Sequence, residues 1–127
     1  MHLPRALEDY LKSILILQQK NGTVRSLDVA EMLHVTKPSV SRAMKTLREG
    51  GFLTMDADKL LCLTEKGFDA ASQVCEKHCI LKECLLSMGV EPDIAEKDAC
   101  RMEHVISEET LERMKRFTAR KNTDHCA

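Results

Sequence analysis

The segment from Ser26 to Leu63 constrains the fold more than any other part of the chain. Two short apolar stripes, Val29-Ala30-Leu33 and Val40-Ala43-Met44-Leu47, stand on either side of a break at His34-Val35. Spacings of three and four residues place each set on one face of a helix. Ser26 is the expected N-cap of the first helix, and the oxygen of Thr36 is expected to cap the second, with Pro38 tolerated in its first turn. Gly50-Gly51 stops the second helix. Phe52-Leu53-Thr54 and Leu60-Leu61-Cys62-Leu63 then flank the polar tip Asp56-Ala57-Asp58-Lys59, the signature of a short hairpin. The pattern predicts a helix-turn-helix followed by a wing. The plain alternative, a helical hairpin with ordinary solvated charges, does not account for the double-glycine stop or the charged tip.

The other segments read as helices. Leu7, Tyr10, Leu11, Ile14 and Leu15 form an amphipathic stripe that ends near Asn21-Gly22. Thr64 opens a long helix with Phe68, Ala71, Cys75, His78, Leu81, Leu85 and Met88 facing inward before Gly89. A helix after Pro92 carries Ile94, Ala95, Ala99, Met102 and Val105 on its expected buried side. Ser107, followed by Glu108 and Glu109 where the helix dipole favours negative charge, starts a last helix through Leu111, Met114 and Phe117. The fold class is mostly α: a winged helix-turn-helix head over residues 1–64, an all-helical domain over 65–118, and a polar, flexible tail over 119–127.

Composition excludes several classes of function. The 127 residues favour a compact chain over a large enzyme, and 43% hydrophobic against 31% charged residues supplies a core without disorder-prone bias. The longest early apolar run, Ile14 to Leu17, is too short for a membrane span or a signal sequence. Cys62, Cys75, Cys79, Cys84, Cys100 and Cys126 form no Cys-x-x-Cys pair, and several fall within helical patterns, so reduced thiols in the cytoplasm are expected. The four scattered aromatics do not make a stacking platform for single strands.

A helix-turn-helix serves as a reader of double-stranded DNA when its second helix carries a polar outer face that fits a major groove. Lys37, Ser39, Ser41, Arg42 and Lys45 supply that face, with Pro38 in its first turn, Arg25 and Ser26 at the entrance to the preceding helix and Lys59 in the wing. Arginine and lysine reach base edges or phosphates, and serine donates to either. Arg25, Lys37, Arg42 and Lys45 against Asp28 and Glu31 leave residues 25–45 at a net +2. So modest a charge implies few phosphate contacts per copy, and therefore a symmetric homodimer on a palindromic operator.

A second constellation has the chemistry of a metal site. Cys100, Glu103 and His104 stand at i, i+3 and i+4, so on a helix a thiolate, a carboxylate and an imidazole converge. Glu96 precedes Cys100 by one turn, His78 lies on the stripe of the long helix, and Glu8 and Asp9 are available on the first helix. Taken alone, the same residues also read as an inward cysteine, a common Glu-His pair and a hydrogen-bonded core histidine.

Asp98-Ala99-Cys100-Arg101-Met102-Glu103-His104-Val105-Ile106-Ser107 resembles the metal-binding signature of the DtxR/MntR family of metal-dependent transcriptional repressors. Leu7-Glu8-Asp9-Tyr10-Leu11 is similar to that family's first-helix entry, and Val29 through Leu47 to its DNA-binding motif. The resemblance runs over about residues 5–118 in the family's own order. It implies a regulatory metal site of Asp9, Cys100, Glu103 and His104, with His78 matching a ligand of a second site. The thiolate is the choice of iron-responsive members and the aspartate that of manganese-responsive ones. Two positions depart from the pattern: Lys12 stands where manganese-type members supply a glutamate, and Lys82 where iron-type members place a carboxylate. One principal metal per subunit is therefore expected, with Glu96 or Cys79 assisting.

The resemblance is to the shorter two-domain form, without an SH3-like third domain, in which the last helices build the dimer interface. Leu111, Met114 and Phe117 are the candidates here, and a purely intramolecular core is the alternative. The implied function is a cytoplasmic repressor of metal-uptake genes activated by Fe(II) or Mn(II), with Zn(II), Co(II) or Ni(II) also compatible with the ligands. It implies no membrane partner and no small organic substrate. Two rivals are a thiol-based redox regulator using Cys75, Cys79, Cys84 or Cys100, and a metalloenzyme with Glu103 as base, for which no second general acid is visible.

Overall fold

The computed structural model describes residues 3–126, with side chains through 120. The order is α1 (Arg5–Asn21), α2 (Ser26–Leu33), α3 (Lys37–Glu49), β1 (Leu53–Met55), β2 (Leu61–Leu63), α4 (Glu65–Ser87), α5 (Pro92–Met102) and α6 (Glu108–Cys126). The chain divides into two compact units, residues 1–73 and 74–127, so that α4 belongs in part to each.

In the first unit, α1, α2 and α3 pack around Leu11, Ile14, Val24, Val29, Val40, Met44 and Leu47, all fully buried. The break between α2 and α3 turns at His34, whose positive φ of 55° is the left-handed conformation of a helix C-cap. Thr36 caps α3 as expected, its Oγ1 accepting the Ser39 N–H at 3.3 Å. Ser26 does not cap α2; it is the first helical residue, and the extended Arg25 precedes it, donating its N–H to the Asp28 carboxylate at 2.9 Å. The acidic side chain three residues on completes the helix entry that serine was expected to make.

The wing pairs β1 with β2 antiparallel, Leu53 opposite Leu63 and Met55 opposite Leu61. Asp56 holds the tip by accepting the Asp58 and Leu60 N–H groups at 2.9 Å each. Val24, which no helical stripe included, is buried because its carbonyl receives the Leu61 N–H at 2.8 Å and so sews the wing to the loop after α1. Thr64 caps α4 through Gly67 N–H at 3.1 Å. Gly67 itself passes so close to the Phe52 carbonyl that no β-carbon fits there.

The second unit is built on small residues. Ala95 and Ala99 of α5 are fully buried, Leu81 and Leu111 join Ala99 at the centre, and Ile80, Leu85, Met102, Ile106 and Met114 surround them. Four residues of the expected buried stripes lie elsewhere. Phe68 and Met88 are exposed, and Val105, 80% exposed, lies beyond the end of α5 in a tight turn closed by Val105 and Ile106 N–H groups on the Met102 carbonyl. Ile94 is also exposed. Helical spacing marks a face, but only the neighbour's footprint decides how far along that face burial extends.

Ser107 caps α6 by accepting the Thr110 N–H at 3.2 Å. The helix runs on to Cys126, past the Phe117 end expected from apolar periodicity. No glycine or proline interrupts residues 118–126, and Ala119, Arg120 and Lys121 are good helix formers. The Cys126 side chain and Ala127 lie outside the described residues. No described helix is long and apolar enough to cross a membrane.

Candidate metal centre

Two helices of the second unit bring the cluster together. α4 presents His78 and, one turn later, Lys82; α5 presents Glu96 and Cys100, also one turn apart. Glu103 follows as the C-cap of α5, its N–H still bonded to the Ala99 carbonyl at 3.0 Å, and His104 stands in the turn after it. Cys100, Glu103 and His104 therefore do not share one regular helical face. The helix ends between them, where the chain tightens to reach α6.

His78 is the hub. Its Nε2 lies 3.0 Å from Glu96 Oε1, its Nδ1 3.0 Å from Glu103 Oε2, and Cys100 Sγ is 3.7 Å from the same Nδ1. A carboxylate faces each ring nitrogen, so both hydrogen bonds form only when both nitrogens carry hydrogen. Glu103 is 1% exposed at its side chain and His104 3%, and Glu103 Oε1 reaches His104 Nε2 at 3.4 Å. A carboxylate that deeply buried needs cationic or hydrogen-bonding partners, and the two histidines face its two oxygens.

Glu96 is the most shared carboxylate of the group. Besides His78 it faces Cys100 Sγ at 3.9 Å and, through Oε2, Lys82 Nζ at 2.9 Å. The hydrogen bond from Lys82 is the main cause that holds the Glu96 carboxyl below its ordinary range, with burial opposing and His78 assisting. The same pairing holds the Lys82 ammonium above its ordinary range.

His78, Glu96 and Cys100 each offer one ligand atom, and all three atoms lie within 4.8 Å of one another. Metal bonds of about 2.0 to 2.3 Å hold ligand atoms roughly 3 to 4 Å apart, so small side-chain movements suffice to close the group on one ion. Imidazole, carboxylate and thiolate suit a first-row transition metal. Glu96, expected only to assist, is thus at the centre of this group, whereas Cys79 is exposed on the outer side of α4. The sequence signal for Glu96 was its i, i+4 relation to Cys100; its approach to His78 depends on helix packing. Asp9 stands on α1 in the first unit, half-buried, its carbonyl accepting the Ser13 hydroxyl at 2.8 Å.

In the first unit the outer face of α3 is polar. Lys37, Pro38, Ser41, Arg42 and Lys45 are exposed opposite buried Val40, Ala43, Met44 and Leu47. Ser39 is half-buried, its hydroxyl 2.8 Å from that of Thr36, and so is engaged in the cap. Arg25 donates to the Asp58 carbonyl at 3.0 Å and so holds the wing tip, where Lys59 adopts a positive φ of 63°. Ser26 is half-buried at the start of α2. Near the end of the second unit, Met114 and Phe117 join Cys84, Glu109, Thr110 and Arg113 around a groove of about 430 Å³. Leu111 is buried in the core instead.

The N-terminal DNA-binding domain of iron-dependent repressors matches residues 2–61, and their metal-binding and dimerisation domain matches residues 64–127. The chain belongs to the DtxR/MntR family of metal-dependent transcriptional repressors. It is 37% identical over 117 residues to the transcriptional regulator MntR of Escherichia coli O157:H7, covering 92% of this chain and 76% of that protein. The iron-dependent repressor IdeR of Mycobacterium tuberculosis H37Rv is 33% identical over 108 residues, covering 84% of this chain and 47% of that one. Among solved structures, a manganese-dependent transcriptional repressor in complex with manganese superposes with a TM-score of 0.80 at 26% identity, covering 89% of this chain and 52% of that one. The chain thus spans about three quarters of MntR and about half of IdeR and of the solved repressor.

Proposed function

We propose that this chain is a cytoplasmic, metal-activated repressor that binds a palindromic operator as a homodimer and shuts down metal-uptake genes when Fe(II) or Mn(II) is abundant. The observation that carries this reading is the convergence of His78, Glu96 and Cys100 on one point, next to the buried Glu103 and His104, in a chain whose other unit is a winged helix-turn-helix. Zn(II), Co(II) and Ni(II) suit the same donors, and the soft thiolate favours them while the carboxylates favour manganese and iron.

In this reading Asp9, Cys100, Glu103 and His104 bind the regulatory metal, with Glu96 assisting, and His78 is a ligand of a second site that shares Cys100 and Glu96 with it. The ion, when bound, would supply positive charge among the thiolate, carboxylates and imidazoles that already face one another. Asp9 belongs to the DNA-reading unit, so its participation makes the disposition of that unit depend on the metal. A metal that prefers one disposition shifts the population toward it, and by linkage the operator tightens the metal in equal measure. Lys37, Pro38, Ser39, Ser41, Arg42 and Lys45 face the operator, with Arg25, Ser26 and Lys59 supporting the backbone contacts. Met114 and Phe117, which border the groove, contribute to the dimer, while Leu111 serves the subunit's own core. The proposed role is binding, with no catalytic step.

The test is operator affinity measured with Mn(II), with Fe(II) kept reduced, and with chelator. Loss of operator binding on chelation, and in Asp9→Ala and Glu103→Gln proteins, is the expected result. Binding indifferent to chelator would leave a winged DNA binder and remove metal control.

A further inference from the structure

Lys82 is a cation already seated on a ligand of the metal group. Its Nζ lies 2.9 Å from Glu96 Oε2, while the other oxygen of that carboxylate is 3.0 Å from His78 Nε2 and 3.9 Å from Cys100 Sγ. One carboxylate is thus divided between an ammonium and the imidazole-thiol pair. Lys82 is 39% exposed and Glu96 46%, so the lysine sits at the solvent side of the group and its long stem can swing into water without opening the core. The other charged and titratable groups at this point are His78 on α4, Glu96 and Cys100 on α5, and Glu103 at its end, with Cys79 also in electrostatic range of Lys82.

We propose that Lys82 is a built-in competitor for the metal: its ammonium occupies Glu96 in the metal-free protein and must leave before His78, Glu96 and Cys100 can close on an ion. The competitor sets a threshold. Scarce metal does not displace it, and the site fills only when the ion is abundant enough to take Glu96 from a cation that is always present at the effective concentration of a tethered group. The same charge biases the site toward ions that gain most from the thiolate, since binding through Glu96 alone only replaces one cation by another. This inference rests on the metal-regulator reading above and specifies how this chain's own residues set its sensitivity.

The test is a titration of the full chain with Co(II), followed by the thiolate-to-cobalt charge-transfer absorption and by stoichiometry, in the wild type and in Lys82→Gln, Lys82→Arg and Cys100→Ser. Repulsion between an ammonium and a divalent ion a few ångströms apart in a solvent-exposed setting corresponds to about tenfold in affinity. Lys82→Gln is therefore expected to bind Co(II) about tenfold more tightly. Lys82→Arg, which keeps the charge, is expected to stay within about twofold of wild type. Added salt should narrow the gap between wild type and Lys82→Gln, because it screens the ammonium. Circular dichroism of each variant checks that the helices remain.

A gain below about threefold in Lys82→Gln, or an equal gain in Lys82→Arg, overturns the competitor. Cys100→Ser separates this failure from that of the underlying reading. If the absorption appears in the wild type and vanishes in Cys100→Ser, the metal site stands whatever Lys82 does. If neither the wild type nor Lys82→Gln shows it, both the site and its competitor fall.

Discussion

The two units differ in what they bury beside their apolar cores. Residues 3–73 enclose a core of large aliphatic side chains, with Leu11, Ile14, Met44 and Leu47 almost fully withdrawn from water. The second unit has a smaller core around Leu81, Ala95 and Ala99 and buries a carboxylate, Glu103, as completely as these. An apolar core stabilises in proportion to the area it buries and does so without a ligand. A buried cluster of carboxylates, histidines and a thiol stabilises only as far as its charges are compensated, so its stability depends on what is bound there. On the proposed reading, the reading head is expected to be invariant to metal and the sensing part conditional on it.

The largest effects should come from breaking the invariant side. Leu47→Ala removes a fully buried side chain and is expected to cost about 2–5 kcal/mol in urea unfolding, with the same loss in chelator and in Mn(II). A metal-dependent cost would blur the distinction between the units. On the conditional side, saturating Mn(II) at about 100 times its dissociation constant should add roughly 2.7 kcal/mol of stability. That increment is expected to shrink in Cys100→Ser and Glu103→Gln, and its survival in both variants would take the sensing role away from the cluster.

Gly67→Ala tests the seam where α4 leaves the wing. A β-carbon there overlaps the Phe52 carbonyl, a backbone atom that cannot rotate away, so a loss of about 1–3 kcal/mol by thermal unfolding is expected. The smallest effect is the pH response of the Lys82–Glu96 pair. The Glu96 carboxyl is lowered chiefly by its hydrogen bond from Lys82, so its contribution is present above the ordinary carboxylate range and is lost as pH falls through the lowered value. The Lys82 ammonium is raised chiefly by Glu96, so its contribution is present below the ordinary lysine range and is lost as pH rises through the raised value. Subtracting the stability profile of Glu96→Gln from that of wild type should therefore give a small plateau through neutral pH that declines in acid and in strong alkali. A difference that persists undiminished in acid and in strong alkali would contradict this assignment.

The parts that were legible beforehand share a common cause. The Thr36, Thr64 and Ser107 caps, the Gly50-Gly51 stop and the wing are local, since each is decided by atoms a few residues apart. The end of α6 was misjudged because apolar periodicity reports which residues meet a core and not where a helix stops; past Phe117 the backbone continues without a breaker. The exposed Phe68, Met88 and Ile94 follow from the same limitation.

The sequence by itself determined the helix-turn-helix, its polar reading face, and the presence of thiol, carboxylate and imidazole donors at family-like spacing, because those features are properties of single helices and turns. Only the tertiary structure decided that His78 would meet Glu96 and Cys100 across two helices, that Glu103 would be buried between two histidines, and that Lys82 would settle on Glu96. The reason is geometric. Spacing along a helix tells which side chains share a face, but the partners across from that face depend on how closely the alanines of α5 let it approach α4, and a one-turn slide would pair every donor differently.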